Sequence, residues 1–333
     1  MMNDKEKLKD ELDSVFSEIR KEYGSGAIMR LGDKPPVGVD AISSGSILLD
    51  RCLGVGGYPK GRMIEIFGPE SSGKTTLALT AIAECQKAGG MCAFIDAEQT
   101  VDPIYAANLG VNTSDLILSQ PSSGEEALTI VETLARKGCF DLVVVDSVAA
   151  LVPKCELDGE MEDNSVGAQA RMMSKCLRRI AAVLNKSSCT VIFINQLREK
   201  VGVIYGSNET TTGGRALKFF SSVRIDIRRN EAIKQNGLIV GNVVTVKVVK
   251  NKVSPPFKSC QLEIIYGKGI SKEGELLDLA IEYNLVEKKG SWYEVYGERM
   301  GQGRDTAKQF LLDNAEIFNK LKADIQEKLS TKK

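Results

Sequence analysis

The sequence predicts an α/β protein organised on a mostly parallel sheet, and three observations lead there. Apolar, β-prone runs at 63–67, 91–96, 116–118, 142–146 and 190–195 alternate with helical patterns near 75–87, 103–109, 124–137 and 165–185. Such alternation builds parallel strands covered by helices. The first of these strands leads into Gly68-Pro69-Glu70-Ser71-Ser72-Gly73-Lys74-Thr75, a match to G-x-x-x-x-G-K-S/T, and a helical pattern (Leu77, Leu79, Ala81, Ile82) follows without a break. Two further strands end in carboxylates, Asp96 and Asp146, at the sheet end where open α/β folds bind ligands.

In chain order, Leu8, Leu12, Val15, Phe16 and Ile19 form one apolar stripe on a helix over 5–23. Gly24-Ser25-Gly26 stops it, and Ala27-Ile28-Met29 predicts a short strand. Residues 1–35 therefore read as a helix–strand arm ahead of the core. Its stripe must be buried on its own core or on a neighbouring subunit, and the sequence leaves both open. The core spans 36–271. After 215 the runs at 222–228, 243–250 and 261–266 have no long helices between them, which predicts antiparallel strands finishing the sheet. From 272 to 333 a helix at 275–284, short strands near Trp292 to Tyr296 and helices at 305–312 and 314–328 predict a small α+β C-terminal domain.

With 333 residues, 43% hydrophobic and 26% charged, the composition is that of a soluble globular protein with one large core and smaller attachments. The first residues are too charged for a secretory signal, and no run is long enough to cross a bilayer. The eight cysteines are scattered with no C-x-x-C pair, a pattern expected of reduced thiols in the cytoplasm rather than of a zinc site or disulfide framework. There is no histidine. Every mechanism that needs imidazole is excluded, and a general base must be a carboxylate, lysine, cysteine or tyrosine.

The stretch 63–84 carries the clearest chemistry. Gly68 and Gly73 allow a tight turn whose N–H groups face an anion, and the new helix adds its unsatisfied N-terminal N–H groups. Lys74 is placed for the β- and γ-phosphates of a nucleoside triphosphate, and the Thr75 hydroxyl for Mg²⁺. The bland alternative is a Gly/Ser turn with a surface lysine. Asp146, at the end of Asp141-Leu142-Val143-Val144-Val145-Asp146, is the natural partner for that ion, although a strand-end Asp alone is as often a helix cap. Glu98, after Asp96-Ala97, is the best candidate to orient or deprotonate a water; its bland reading is a solvated glutamate. Tyr105 can stack on a base or sit in the core. Asn195-Gln196 ends a third strand, where a neutral amide can sense a γ-phosphate, and leads into a long loop, 197–214.

Net charge is zero, but the average conceals a local imbalance. Residues 198–258 hold twelve Lys/Arg against four Asp/Glu, while 155–165 hold five acids and no base. Arg198, Lys200, Arg215, Lys218, Arg224, Arg228 and Arg229 cluster around a Gly-rich loop. This is either a solvated basic face or a phosphate-backbone site.

These residues resemble one family: bacterial RecA, the DNA strand-exchange recombinases. The resemblance covers nearly the whole chain, through KEYGSGAIMRLGD (21–33), GPESSGKTT (68–76), FIDAE (94–98), DPIYA (102–106), VVVDSVAAL (143–151), ARMMS (170–174), FINQ (193–196), ETTTGGRALKF (209–219), VKVVKNK (246–252) and MGQG (300–303). It implies a P-loop NTPase core of RecA type that binds ATP and Mg²⁺ through residues 68–76 (Thr76 included) and Asp146. Glu98 would activate water, with Lys74 and Gln196 in the catalytic set, and Asp102 and Tyr105 would contact adenine. Lys250 and Lys252 would reach the ATP of a neighbouring subunit. Residues 155–166 and 197–214 would be DNA-binding loops. Val166, Arg171, Ser174, Arg178, Arg198, Val201, Gly213 and Gly214 would be the DNA contacts, the two glycines as backbone donors to phosphate. Ile28 and Phe219 would lie on opposite sides of a filament interface. The implied activity is DNA-dependent ATP hydrolysis in a helical filament on single-stranded DNA that pairs and exchanges strands with duplex. Self-cleavage of the SOS repressor would follow from the same filament. Departures from the family pattern are Gln99 and Ser165 where members carry His, Val166 for Met and Arg215 for Asn. A RecA-like hexameric helicase motor or a P-loop phosphotransferase would use the same loop.

Overall fold

The computed structural model describes residues 2–30, 38–160, 165, 167–199, 208–235 and 237–331. It divides into two compact units, 1–39 and 40–333. The first carries α1 (Met2–Tyr23), ended at Gly24, whose N–H donates to Arg20 O. The strand expected over Ala27-Ile28-Met29 is not formed; the backbone there turns, and Ile28 O accepts from Arg20 Nε at 3.2 Å. A strand needs a second strand to satisfy its N–H and C=O groups, and among the described residues none is paired with these.

The second unit opens with β1 (Ala41–Ile42), α2 (Ile47–Leu53) and β2 (Tyr58–Pro59). The α/β core then follows. It comprises β3 (Met63–Gly68), α3 (Lys74–Lys87), β4 (Cys92–Asp96), α4 (Pro103–Asn108), β5 (Ile117–Ser119), α5 (Gly124–Lys137), β6 (Leu142–Asp146), α6 (Lys154–Leu157), α7 (Ala168–Leu184) and β7 (Thr190–Glu199). Beyond it come β8 (Glu209–Thr211), α8 (Ala216–Phe220), β9 (Val223–Gln235), β10 (Leu238–Asn251), β11 (Ser259–Ile265) and β12 (Gly269–Ile270). The sheet runs β12-β11-β10-β9-β3-β7-β6-β4-β5, with β8 paired to β7. Strands β9, β3, β7, β6, β4 and β5 are parallel, and β10, β11 and β12 finish the sheet antiparallel.

The continuous apolar runs of these strands are explained by burial on both faces. Ile64, Ile66, Phe94, Val144 and Ile192 face Leu77 and Ile82 of α3. The alternate residues Ala93, Ile95, Val143, Val145 and Phe193 face Leu128 and Val131 of α5 and Met173, Leu177 and Ile180 of α7. Helix α5 is capped by Ser123, whose Oγ accepts from Glu126 N, while Glu126 Oε2 accepts from Ser122 N just ahead of the cap.

The rest of the unit is α9 (Lys272–Glu282), the antiparallel sheet β13 (Val286–Lys289), β14 (Trp292–Val295) and β15 (Glu298–Gln302), then α10 (Arg304–Asp313) and α11 (Ala315–Thr331). Leu277, Ala280, Val295, Leu311, Leu321 and Ile325 form its own apolar cluster. Buried Glu275 of α9 reaches the start of α2, where it accepts from Leu48 N at 2.7 Å and from the Ser46 hydroxyl. Arg304 and Lys308 of α10 pair with Glu263 of β11.

Candidate functional site

All the parallel strands point their carboxyl ends to one edge, and the glycine loop lies between β3 and α3. Gly68 must be glycine because a Cβ there would stand 2.1 Å from Ile227 O of β9. Gly73 has φ of +96°, and its Cβ would meet Ile264 Cδ1 at 2.4 Å. Gly73 offers α3 no side-chain cap, so the first-turn N–H groups point into the cleft with the positive end of the helix dipole. Pro69, Glu70 and Ser71 are exposed, while Ser72 and Thr76 are buried. The Ser72 hydroxyl has no hydrogen-bond partner, as a group shaped for an anion would be.

Lys74 is buried and bends back over the loop, donating to Pro69 O at 2.6 Å and Gly68 O at 3.3 Å. Burial lowers its pKa, against the pull of Asp146, Glu98 and Glu70. Thr75 Oγ1 donates to Asp146 Oδ2 at 2.7 Å. Burial pushes the Asp146 carboxyl up to about 6, with the Thr75 hydrogen bond opposing and Glu98 adding to the rise. A hydroxyl and a desolvated carboxylate side by side suit a hard divalent cation that prefers oxygen ligands, so Thr75 and Asp146 fit Mg²⁺.

Glu98 is pinned from its backbone and its side chain. Ala97 N and Glu98 N donate to Asp146 O, and Glu98 Oε1 accepts from Gln196 Nε2 at 3.0 Å and from the Ser147 hydroxyl. The ends of β4, β6 and β7 thus meet at one carboxylate. Asp96 is buried and accepts from Thr100 N and Val101 N, shaping the turn that carries Glu98. Asp102 caps α4 through Ile104 N, and Tyr105 OH lies 2.7 Å from Thr76 Oγ1. Beside them is a cleft of about 230 Å³ whose far wall contains Asn242, Val244, Ile264 and Tyr266.

Other expected residues fall elsewhere. Arg171, Ser174 and Arg178 lie at i, i+3 and i+7 on α7, one helical face, and both arginines are exposed. Arg198 is exposed on β7. Gly213 and Gly214 have φ of +75° and +77°. Gly213 N donates to Gln169 Oε1 at 3.2 Å, while Gln169 Nε2 donates to Val148 O and Leu151 O. Lys250 Nζ donates to Lys218 O and Phe219 O, and Lys252 Nζ to Phe219 O; neither lysine lines the cleft. Phe219 is 69% exposed, and Ile28 is half-buried in the arm. Val166 and Val201 lie outside the described residues.

Sequence reasoning missed the far wall of the cleft and Ser147. Asn242, Ile264 and Tyr266 reach the cleft only because the β10–β11 register sets them there; Asn242 Nδ2 donates to Tyr266 OH at 2.7 Å. Ser147 follows Asp146 directly, and its bond to Glu98 depends on β6 lying beside β4.

Family models match in two consecutive blocks, the RecA N-terminal domain over residues 10–271 and the RecA C-terminal domain over 274–330. The chain belongs to the bacterial RecA family. Protein RecA of Bacillus velezensis is 56% identical over 316 residues, 95% of this chain and 91% of that protein. Protein RecA of Staphylococcus carnosus is 56% identical over 332 residues, 100% and 92% of the two chains. Protein RecA of a Nocardioides species is 57% identical over 318 residues, 96% and 91%. RecA membership accords with the large, mostly parallel central sheet and the small antiparallel C-terminal sheet.

Proposed function

We propose that this protein is a DNA-dependent ATPase recombinase. It forms a helical filament on single-stranded DNA, pairs that strand with homologous duplex and exchanges strands in recombinational repair. The observation that carries this reading is the Glu98–Gln196 hydrogen bond. It joins the candidate water-activating carboxylate to the strand that leads into the Gly-rich loop 197–214.

ATP is the substrate, cradled by residues 68–76, with Asp102 and Tyr105 at the base. Thr75 and Asp146 would hold Mg²⁺, which when bound offsets the charge of the phosphates. Lys74 exchanges its two carbonyl partners for phosphate oxygens, relieving a buried cation of its poorer environment. Glu98 accepts a proton from the attacking water, and Gln196 holds its carboxylate in place. Arg171, Ser174, Arg178 and Arg198, with the N–H groups of Gly213 and Gly214, grip the DNA backbone, while Val166 acts as an apolar wedge between bases and Val201 is a further DNA contact, so base pairing reads the sequence. Residues 1–35 act as the oligomerisation arm, 36–271 as the core with loops 155–166 and 197–214, and 272–333 as the C-terminal domain. Ile28 and Phe219 meet across a head-to-tail contact that does not close into a ring, with Lys250 and Lys252 at the neighbour's ATP. The SOS repressor is a further partner, cut by itself on the filament. No helix among the described residues is long and apolar enough to cross a membrane, and the cytoplasm is the proposed location.

ATP hydrolysis with and without single-stranded DNA, run beside joint-molecule formation, tests the proposal. DNA-stimulated turnover with homologous pairing is expected. Unwinding without pairing would indicate a helicase motor, and turnover indifferent to DNA a phosphotransferase.

A further inference from the structure

Glu65 sits in the strand that feeds the glycine loop and is fully buried. Burying a carboxylate costs several kcal/mol unless its oxygens are satisfied, and here both are. Oε2 accepts from Arg224 Nε of β9, and Oε1 accepts from Asn195 Nδ2 of β7 at 2.9 Å. Register explains the meeting. Glu65 lies opposite Arg224, while Phe67, two residues on, lies opposite Asn195, so all four share one face of the sheet. The Arg224 guanidinium also stacks on Phe67 with its centre 4.5 Å from the ring.

Asn195 is saturated in turn. Its Nδ2 also donates to Thr212 O at 3.2 Å, and its Oδ1 accepts from the Thr212 hydroxyl at 2.5 Å and from Gln196 N at 2.9 Å. A carboxylate accepts from the NH₂ of Asn195 on the β3 side, in accord with the Gln196 N–H and the Thr212 carbonyl, which set the same amide polarity. The amide oxygen is thereby turned toward Gln196 and Thr212. Thr212 N closes the loop on Gln196 O. At the other side of the ladder Lys250 lies opposite Arg224 in the β9–β10 register. Apolar residues would fill this face without the desolvation cost. What the ionic pair adds is a charged grip on one amide from the β3 side, and that amide ties Gln196 to the returning end of the Gly-rich loop.

We propose that Glu65 is a positioning residue for DNA-stimulated hydrolysis: by holding the Asn195 amide in place it locks Gln196 to Thr212, so that a change at the loop is felt at Glu98. This rests on the recombinase reading above. The test uses the full chain and three measurements: affinity for a fluorescent ADP analogue, ATP turnover without DNA, and turnover with saturating oligo(dT). In Glu65→Gln, which keeps the shape but removes the charge that grips the Asn195 amide, the first two stay within about twofold while DNA stimulation falls about tenfold, an ordinary size for a coupling between sites. Thr212→Val loses stimulation as well, and Thr212→Ser, which restores the hydroxyl, recovers it. Stimulation at the wild-type level in Glu65→Gln or in Thr212→Val overturns the inference. So does an equal fall of the DNA-free and DNA-stimulated rates in Glu65→Gln, the signature of a merely structural role. If Glu65→Gln does not fold, Glu65→Gln/Arg224→Gln, which removes both charges together, is read by the same outcomes. Absence of stimulation in the wild type would instead count against the recombinase reading itself.

Discussion

Lys74, Glu98 and Asp50 show how single side chains carry the chemistry and the pH response. Lys74→Ala removes the side chain bonded to Gly68 O and Pro69 O and the cation expected at the phosphates, so ATP turnover and strand pairing should both be lost, as read by phosphate release and joint-molecule gels. Glu98→Gln keeps the shape but not the base. Nucleotide binding and filament assembly should persist while turnover falls by about 10²–10⁴, and an equal loss of assembly in light scattering would remove Glu98 from that role. Asp50 accepts from Ser43 Oγ, Ser44 N and Ser44 Oγ, yet burial outweighs these bonds and pushes it up to about 6. The folded chain therefore keeps this proton where the unfolded chain, releasing it near about 4, does not. The stability it contributes is complete below the unfolded value and is lost as pH rises through about 6. Denaturation at pH 4.5 and 7 should show a wild-type decrease of at most about 3 kcal/mol relative to Asp50→Asn.

At the scale of elements, the strand–loop–helix of 63–87 was legible because its glycines, lysine and apolar periods are contiguous. Gly73→Ala should show how tightly it is built. The φ of +96° and the 2.4 Å approach to Ile264 Cδ1 predict a loss of about 1–3 kcal/mol in chemical denaturation, together with weaker nucleotide binding. Strand 142–146 was equally plain, since an apolar run buried on both faces looks the same wherever it sits. The arm was less so. Ala27-Ile28-Met29 has strand composition, but composition does not supply the second strand whose backbone must answer it. Helices α2 and α8 are short, seven and five residues, too brief for an apolar period to register.

For the whole molecule, the C-terminal elements are tied to the α/β core by polar contacts remote in sequence, Glu275 to the start of α2 and Arg304 and Lys308 to Glu263. Glu275→Ala strands the Leu48 N–H and the Ser46 hydroxyl, and a loss of about 1–3 kcal/mol is expected in the denaturation midpoint. No local pattern announces such a pair, because a buried glutamate in a helix reads as an ordinary surface residue until the packing is known. The same holds for the wall of the cleft, where Asn242, Ile264 and Tyr266 depend on the register of β10 and β11, and for Glu65. By itself the sequence determined the α/β class, the phosphate loop and the strand-end residues Asp146, Glu98 and Gln196, since each is written in neighbouring residues with a period or a turn. Tertiary structure alone decided that Gln196 and Ser147 converge on Glu98, that Lys74 rests on two carbonyls, and that Glu65 grips Asn195. The reason is that strand order and register, which bring these side chains within hydrogen-bond reach, are properties of the packed sheet and not of any segment in it.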